Sequence, residues 1–196
     1  MTQSVEGFPN LNDDWELRWA PYDQPTYQAV LDRLRPEDIV LEIGAGDLRL
    51  ARKMANVTRK VYGLEINAQV LDQGLQFSHP QPGNLIVMHA DALVADFPPD
   101  VTTGVLLMRH CTHFREYANK LRNLGCQKLI TNARWRMAVE TIDLQAPKTK
   151  FEDVKIGWYA CWCGAAGFKT GPVELLTPEV NAITHEVIDC PECSHR

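Results

Sequence analysis

The chain has no apolar run near the ~20 residues that a membrane span requires. It also lacks the pattern of an exported protein. Residues 1–16 hold no positive stretch followed by an apolar one, so no secretory signal is expected and the cytoplasm is the expected compartment. Cysteines there are reduced or metal-bound. An excess of positive charge is missing too. The net charge is −5, whereas generic binding to nucleic acid or an anionic membrane wants a positive field. The sequence therefore gives no membrane and no strong nucleic-acid signal, although a local basic patch stays compatible with it. Internal repeats and low-complexity tracts are absent. The rest is ordinary globular material, 45% hydrophobic and 23% charged over 196 residues. A chain of this size buries about 70% of its unfolded surface, so its main core needs no disulfides.

Short apolar runs and helical spacings alternate along the middle of the chain. Strands are expected near 39–43, 60–64, 84–89, 103–109 and 127–132, with helices near 48–56, 67–77 and 112–124. A further helix is expected at 26–34, stopped by Pro36. Alternation of this kind implies a parallel sheet with right-handed crossovers. The expected fold class is α/β, a Rossmann-like doubly wound, mostly parallel sheet with a small C-terminal β appendage. Three regions follow: 1–35, an N-terminal helical and aromatic flap; 36–150, the α/β domain; and 151–196, a cysteine-rich segment.

The first strand carries the most information. Val40-Leu41-Glu42-Ile43 runs straight into Gly44-Ala45-Gly46, and a helical stretch follows. The glycines let the backbone turn tightly and approach a ligand. Glu65 ends the next apolar run, about 20 positions on, where dinucleotide-type sites place a carboxylate against ribose hydroxyls. The NAD fingerprint wants a third glycine at position 49, which is Arg49 here. That argues against an NAD(P) site.

Glu42-Ile43-Gly44-Ala45-Gly46 resembles the first motif of class I S-adenosylmethionine-dependent methyltransferases. The third glycine usual in that family is Leu48 here. The resemblance covers roughly residues 25–135. It implies that Glu42 helps orient the methionine end and that the turn Gly44, Ala45, Gly46 and Leu48 faces the cofactor. It implies that Glu65 takes the ribose hydroxyls and that Asp91 meets the adenine amino group; Ile66, Ala92 and Arg109 are further cofactor-binding candidates. The alternatives are a helix-capping acid at Glu42, a plain strand-end acid at Glu65 and a turn or N-cap residue at Asp91.

Arg109, His110, Cys111, Thr112 and His113 follow the fourth strand, where that family meets its substrate. His110 or His113 is the candidate general base; otherwise one caps the next helix or packs on the cofactor. Cys111 reads as a small buried residue, since no Pro-Cys motif frames it as a nucleophile. The Asp/Asn-Pro-Pro-Tyr/Phe motif of amino-group nucleic-acid methyltransferases is absent after this strand, which counts against methylation of an exocyclic base amine. Trp15, Trp19, Tyr22 and Tyr27 form either a flap over the pocket or simple surface packing. Arg134-Trp135-Arg136 either holds an anionic substrate or RNA base or, as the blander reading, is an exposed helix turn.

The tail carries a second signal. Cys161-Trp162-Cys163 and Cys190-Pro191-Glu192-Cys193 are two close pairs, and 27 positions separate Cys163 from Cys190. They look like a zinc ribbon, with the first pair one residue short and the loop between supplying a hairpin. A four-thiolate zinc is closed and structural, not catalytic. A reduced buried pair or a redox disulfide is the alternative. The expected activity is methyl transfer from S-adenosylmethionine to an unidentified acceptor, whether small molecule, protein or RNA. The rival is a non-catalytic cofactor- or nucleotide-binding adaptor whose zinc ribbon docks a partner.

Overall fold

In a computed structural model of the protein, residues 20–76, 80–109, 111–134 and 138–195 are described. In chain order the elements are α1 (Gln24–Leu31), β1 (Ile39–Ile43), α2 (Arg49–Ala55), β2 (Lys60–Glu65), α3 (Ala68–Gln76), β3 (Leu85–His89), β4 (Thr103–Leu106), α4 (Phe114–Asn123), β5 (Lys128–Thr131), β6 (Glu140–Asp143), β7 (Thr149–Lys150), β8 (Gly157–Cys161), β9 (Ala166–Lys169), α5 (Pro178–Ala182) and β10 (Thr184–Ile188).

The first six strands form one sheet in the order β3-β2-β1-β4-β5-β6. β1 to β5 are parallel, and β6 closes the edge antiparallel to β5. β1 and β4 lie in the middle and are covered on both faces. This is why their sequences read as continuous apolar runs instead of alternating ones. On one face Leu41, Ile43, Leu64 and Leu106 pack under Phe114, Ala118 and Leu121 of α4. On the other, Val40, Val61, Val105 and Ile130 pack with Tyr27 and Val30 of α1 and with Ala51 and Met54 of α2. Chain order reverses between β1 and β4, and such a switch point opens a crevice at the strands' carboxyl ends.

Several expected boundaries move. α1 starts two residues early because Asp23 caps it, its side chain accepting from the Thr26 N–H at 2.9 Å with Pro25 in the first turn. β4 ends at Leu106, so Met108 and Arg109 lie in the following loop. β6 was not expected at all. Of Glu140-Thr141-Ile142-Asp143 only Ile142 is buried, so an edge strand facing water on one side leaves almost no apolar pattern to read.

The tail builds a second sheet, β7-β10-β8-β9. β8 and β9 form a hairpin whose turn carries Cys161 and Cys163, not a hairpin lying between the two cysteine pairs as expected. β10 runs parallel to β8 and sets Val187 opposite Cys161. That register returns the chain so that Cys190 and Cys193 meet the first pair. β7 belongs to this sheet, so pairing with the tail begins at Thr149, just before the expected start of the segment.

Candidate functional site

A cavity of about 170 Å³ opens at the carboxyl ends of β1 to β4. Ile43, Gly44, Leu64, Ile66, Ala90, Asp91, Ala92, Leu93, Met108, His113 and Tyr117 line it. Five residues expected to serve the site from sequence, Gly44, Ile66, Asp91, Ala92 and His113, are thus gathered around one space. Glu42, Ala45, Gly46, Leu48 and Glu65 are buried beside it, in and behind the glycine turn.

That turn is fastened to β2. The N–H groups of Gly44 and Ala45 both donate to the Leu64 carbonyl at 2.9 Å. The Glu65 carboxylate accepts from Gly46 N–H through Oε2 and from Asn67 N–H through Oε1, each at 2.8 Å. An ionised carboxylate has about four acceptor sites, so two remain for hydroxyl donors. Gly44 adopts φ +75°, and a Cβ there would press on Met108 Cε at 3.3 Å. A side chain at this position would crowd the cavity mouth.

Leu48 stands where the motif has its third glycine, and it takes the left-handed conformation, φ 64°. For a non-glycine residue that costs about 1–2 kcal/mol. The side chain is fully buried, which returns about 1.5–3 kcal/mol. Room for it comes from Gly63 of β2, where a Cβ would sit 3.2 Å from Leu48 Cδ2. The departure from the motif is absorbed by packing, and the turn keeps its path.

Glu42 is incompletely satisfied. It is 4% exposed, and its Oε2 has no hydrogen-bond partner among the described residues. Burial first, and then the nearby Glu65 and Asp47 carboxylates, push its pKa well above the usual glutamate range. At the start of α2 the Arg49 N–H donates to Asp47 Oδ1 at 3.2 Å. An opposite charge brought beside Glu42 would favour its ionised form.

The remaining expectations divide. Asp91 lines the cavity and also organises the turn after β3, its Oδ1 accepting from Leu93 N–H at 2.8 Å. His113 occupies the N-cap position of α4 without a side-chain capping bond, and its ring meets Tyr117 edge-on at 6.3 Å. His110 lies outside the described residues, as do Trp15, Trp19, Trp135 and Arg136. Arg109 is exposed; its guanidinium lies 5.1 Å over the Tyr22 ring, and its N–H donates to the Tyr22 hydroxyl at 3.2 Å. Tyr22 in turn donates its N–H to the buried Tyr27 hydroxyl at 3.1 Å. The N-terminal segment therefore reaches the loop after β4.

The exposed-turn reading of Arg134 is corrected. Its side chain is 0% exposed and forms ion pairs with Glu140 and Glu186, the first at 2.8 Å. It also donates to the Cys161 carbonyl at 3.4 Å, so it joins the two sheets. The nearby run of cations gave no sign of this, because the partner Glu186 is 52 positions away. Sequence reasoning also passed over Asn132, just past β5. It is 1% exposed, and neither amide atom has a partner among the described residues. Its place at a strand's carboxyl end was the available signal.

The four tail cysteines converge, with all Sγ atoms within 4.8 Å of one another. Cys161–Cys193 and Cys163–Cys190 are 3.6 Å apart, and Cys190–Cys193 3.8 Å. A tetrahedron with Zn–S bonds of ~2.3 Å has edges of about 3.8 Å. Burial, and then the neighbouring thiols, raise the pKa of Cys190 and Cys193. Four thiolates brought together in that space would need a cation between them.

Comparison with known proteins agrees with this geometry. A family model described as ribosomal RNA adenine dimethylase matches residues 22–132, from the segment before α1 to the end of β5. A Methanosarcina barkeri protein named "Probable ribosomal RNA small subunit methyltransferase A" is 38% identical over 65 residues, 33% of this chain and 22% of that one. Among solved structures, the 23S rRNA methyltransferase ErmE superposes with a TM-score of 0.50 at 24% identity, over 56% of this chain and 46% of that chain. A Plasmodium falciparum dimethyladenosine transferase gives a TM-score of 0.49 at 19% identity, over 56% and 41%. The chain thus spans about a fifth of the curated relative's length and about half of ErmE's. Over the lobe that holds the cavity, and not over the cysteine lobe, the chain belongs to the ribosomal RNA adenine dimethylase family, within the class I S-adenosylmethionine-dependent methyltransferases.

Proposed function

We propose that the chain transfers a methyl group from S-adenosylmethionine to an RNA acceptor and that its cysteine lobe holds one structural zinc. One observation carries the first part. Glu42, Glu65 and Asp91 stand at the carboxyl ends of three successive strands around a glycine turn, and Glu42 Oε2 is orphaned. These residues fit the cofactor. Glu42 would meet the cationic methionine end, Glu65 the ribose hydroxyls, and Asp91 with Ile66 the adenine. Bound there, the cofactor supplies an activated methyl on a sulfonium. The chain then has to orient the two partners and exclude water. Met108 and Tyr117 wall the cavity on the side of the loop after β4, and His113 is the described residue placed to hold or take an acceptor proton. His110 remains a candidate for the same role.

Family membership and the names of the relatives favour RNA as acceptor. The residues after β4 qualify this. Met108-Arg109-His110-Cys111 stands where the amino-methylating enzymes carry Asp/Asn-Pro-Pro-Tyr/Phe, so the polar acceptors that hold an exocyclic amine are not supplied by that motif. Four sulfurs within 4.8 Å of one another, three of the pairs 3.6–3.8 Å apart, support the zinc, and a closed thiolate set has no open position for catalysis. A cytoplasmic setting would keep those thiols reduced. No helix among the described residues is long and apolar enough to cross a membrane.

Calorimetry with S-adenosylhomocysteine and NAD tests the cofactor, and only the first should bind. Labelled S-adenosylmethionine added with a cell extract should then deliver label to RNA. Label in protein or small molecules would change the acceptor class. Bound cofactor with no transfer to any fraction would favour the adaptor.

A further inference from the structure

α4 has three working faces. At about 100° per residue, Phe114, Ala118 and Leu121 form the buried stripe. His113, Tyr117 and Lys120 fall on one flank of it, and Arg115, Asn119 and Arg122 on the other. The first flank meets the cavity through His113 and Tyr117. The second holds the cysteine lobe: Asn119 accepts from the Trp162 indole N–H at 2.7 Å, and Arg115 donates to the Cys193 carbonyl at 3.4 Å. The helix is thus held from both sides.

Lys120 makes contacts unusual for a lysine. Its Nζ donates to three backbone carbonyls, of Ala92 at 2.6 Å, Leu93 at 3.2 Å and Ala95 at 2.6 Å. An ammonium has three N–H donors, so this one loop accounts for all of them. The charge also lies 4.3 Å over the Phe97 ring. Charge-assisted bonds to neutral acceptors are about twice as strong as neutral ones. The loop they restrain carries Asp91, Ala92 and Leu93, which form one wall of the cavity.

We propose that Lys120 is a positioning residue for the cofactor: from α4 it ties down residues 91–95 and so sets the adenine side of the cavity. This rests on reading the cavity as the S-adenosylmethionine site. Lys120 itself does not line the cavity, so it acts through the loop. If the untethered loop spends a tenth of its time in the binding arrangement, affinity falls about tenfold.

The test is calorimetry with S-adenosylhomocysteine on the full chain, paired with hydrogen exchange. Lys120→Met should weaken binding about tenfold and speed amide exchange in 91–97 while β1 and β2 keep their protection. Metal content should not change. Lys120→Arg should recover most of the affinity, a rescue that a merely space-filling role would not give. Should Lys120→Met fail to fold, Lys120→Gln, which keeps two donors, should show an intermediate loss. Wild-type affinity in either neutral variant would overturn the proposal. Failure of the wild-type chain to bind would instead overturn the cofactor reading beneath it.

Discussion

The two sheets of this protein are stabilised by different means. The large sheet is buried between two apolar layers drawn from α1, α2 and α4. Glu42, Glu65 and Asp91 gather at the carboxyl ends of its strands, where they can serve a ligand. The small sheet has few aliphatic residues. Val154, Ala165 and Val187 surround the cysteines, and segment 170–179 is exposed throughout. It is tied to the large sheet by Trp162, which sits in the main core, and by Arg134. A lobe with so little apolar burial needs a staple. The first lobe can therefore bear an orphaned carboxylate at its edge, while the second depends on its four sulfurs.

Metal removal should break the comparison most sharply. Structural zinc in small domains contributes about 10–16 kcal/mol of apparent binding free energy at neutral pH. Chelation, or Cys190→Ser with Cys193→Ser, should abolish exchange protection in residues 157–188 and leave β1–β5 protected. Elemental analysis should find one zinc per wild-type chain. A chain without metal, or with six freely titrating thiols, would contradict this.

Trp162→Ala should come next. The indole fills the main core from the small lobe and is stacked by Arg122 and Lys148 at 5.8 and 4.8 Å. Truncating a buried Trp costs about 3–5 kcal/mol, read as a lower urea midpoint. Because it lies between two ligands, retained zinc with lost stability would show that packing and metal act separately.

Glu65→Ala should weaken S-adenosylhomocysteine binding at least tenfold, about 1.5–3 kcal/mol for lost bonds to a charged group. It also strands the N–H groups of Gly46 and Asn67. Glu65→Gln, which keeps one acceptor oxygen, separates ligand contact from support of the turn. Unchanged affinity in both would remove Glu65 from the site.

The large lobe was more legible than its surroundings. Val40-Leu41-Glu42-Ile43 and Gly44-Ala45-Gly46 announced strand and turn because their signals are local: apolar runs, glycine, an acid at the strand end. The cysteine spacings were equally local. β6, Arg134 and Lys120 were not. β6 exists because β5 offers an open edge, not because Glu140-Thr141-Ile142-Asp143 favours a strand. Arg134 is buried because Glu186 arrives from β10. Lys120 looks like an ordinary exposed cation on a helix until residues 92–95 fold over it. Each is defined by a partner far along the chain, which no short window contains.

The smallest expected effect concerns Glu42 and sharpens what an orphaned group means. Its raised pKa comes from burial and from the carboxylates of Glu65 and Asp47. The folded protein then holds a proton that the unfolded chain has lost. Stability without cofactor should fall as pH rises from the ordinary glutamate value of 4.5 through the raised folded value, by at most about 1.4 kcal/mol per pH unit. Across the same window S-adenosylhomocysteine should bind more tightly as pH rises, because its ammonium is met by a carboxylate and not by an acid. Glu42→Gln should flatten both slopes and lower affinity mainly at the upper end. Urea melts and calorimetry at a series of pH values give both readings. Parallel slopes in wild type and Glu42→Gln would mean that Glu42 stays in one protonation state, with no cation to meet.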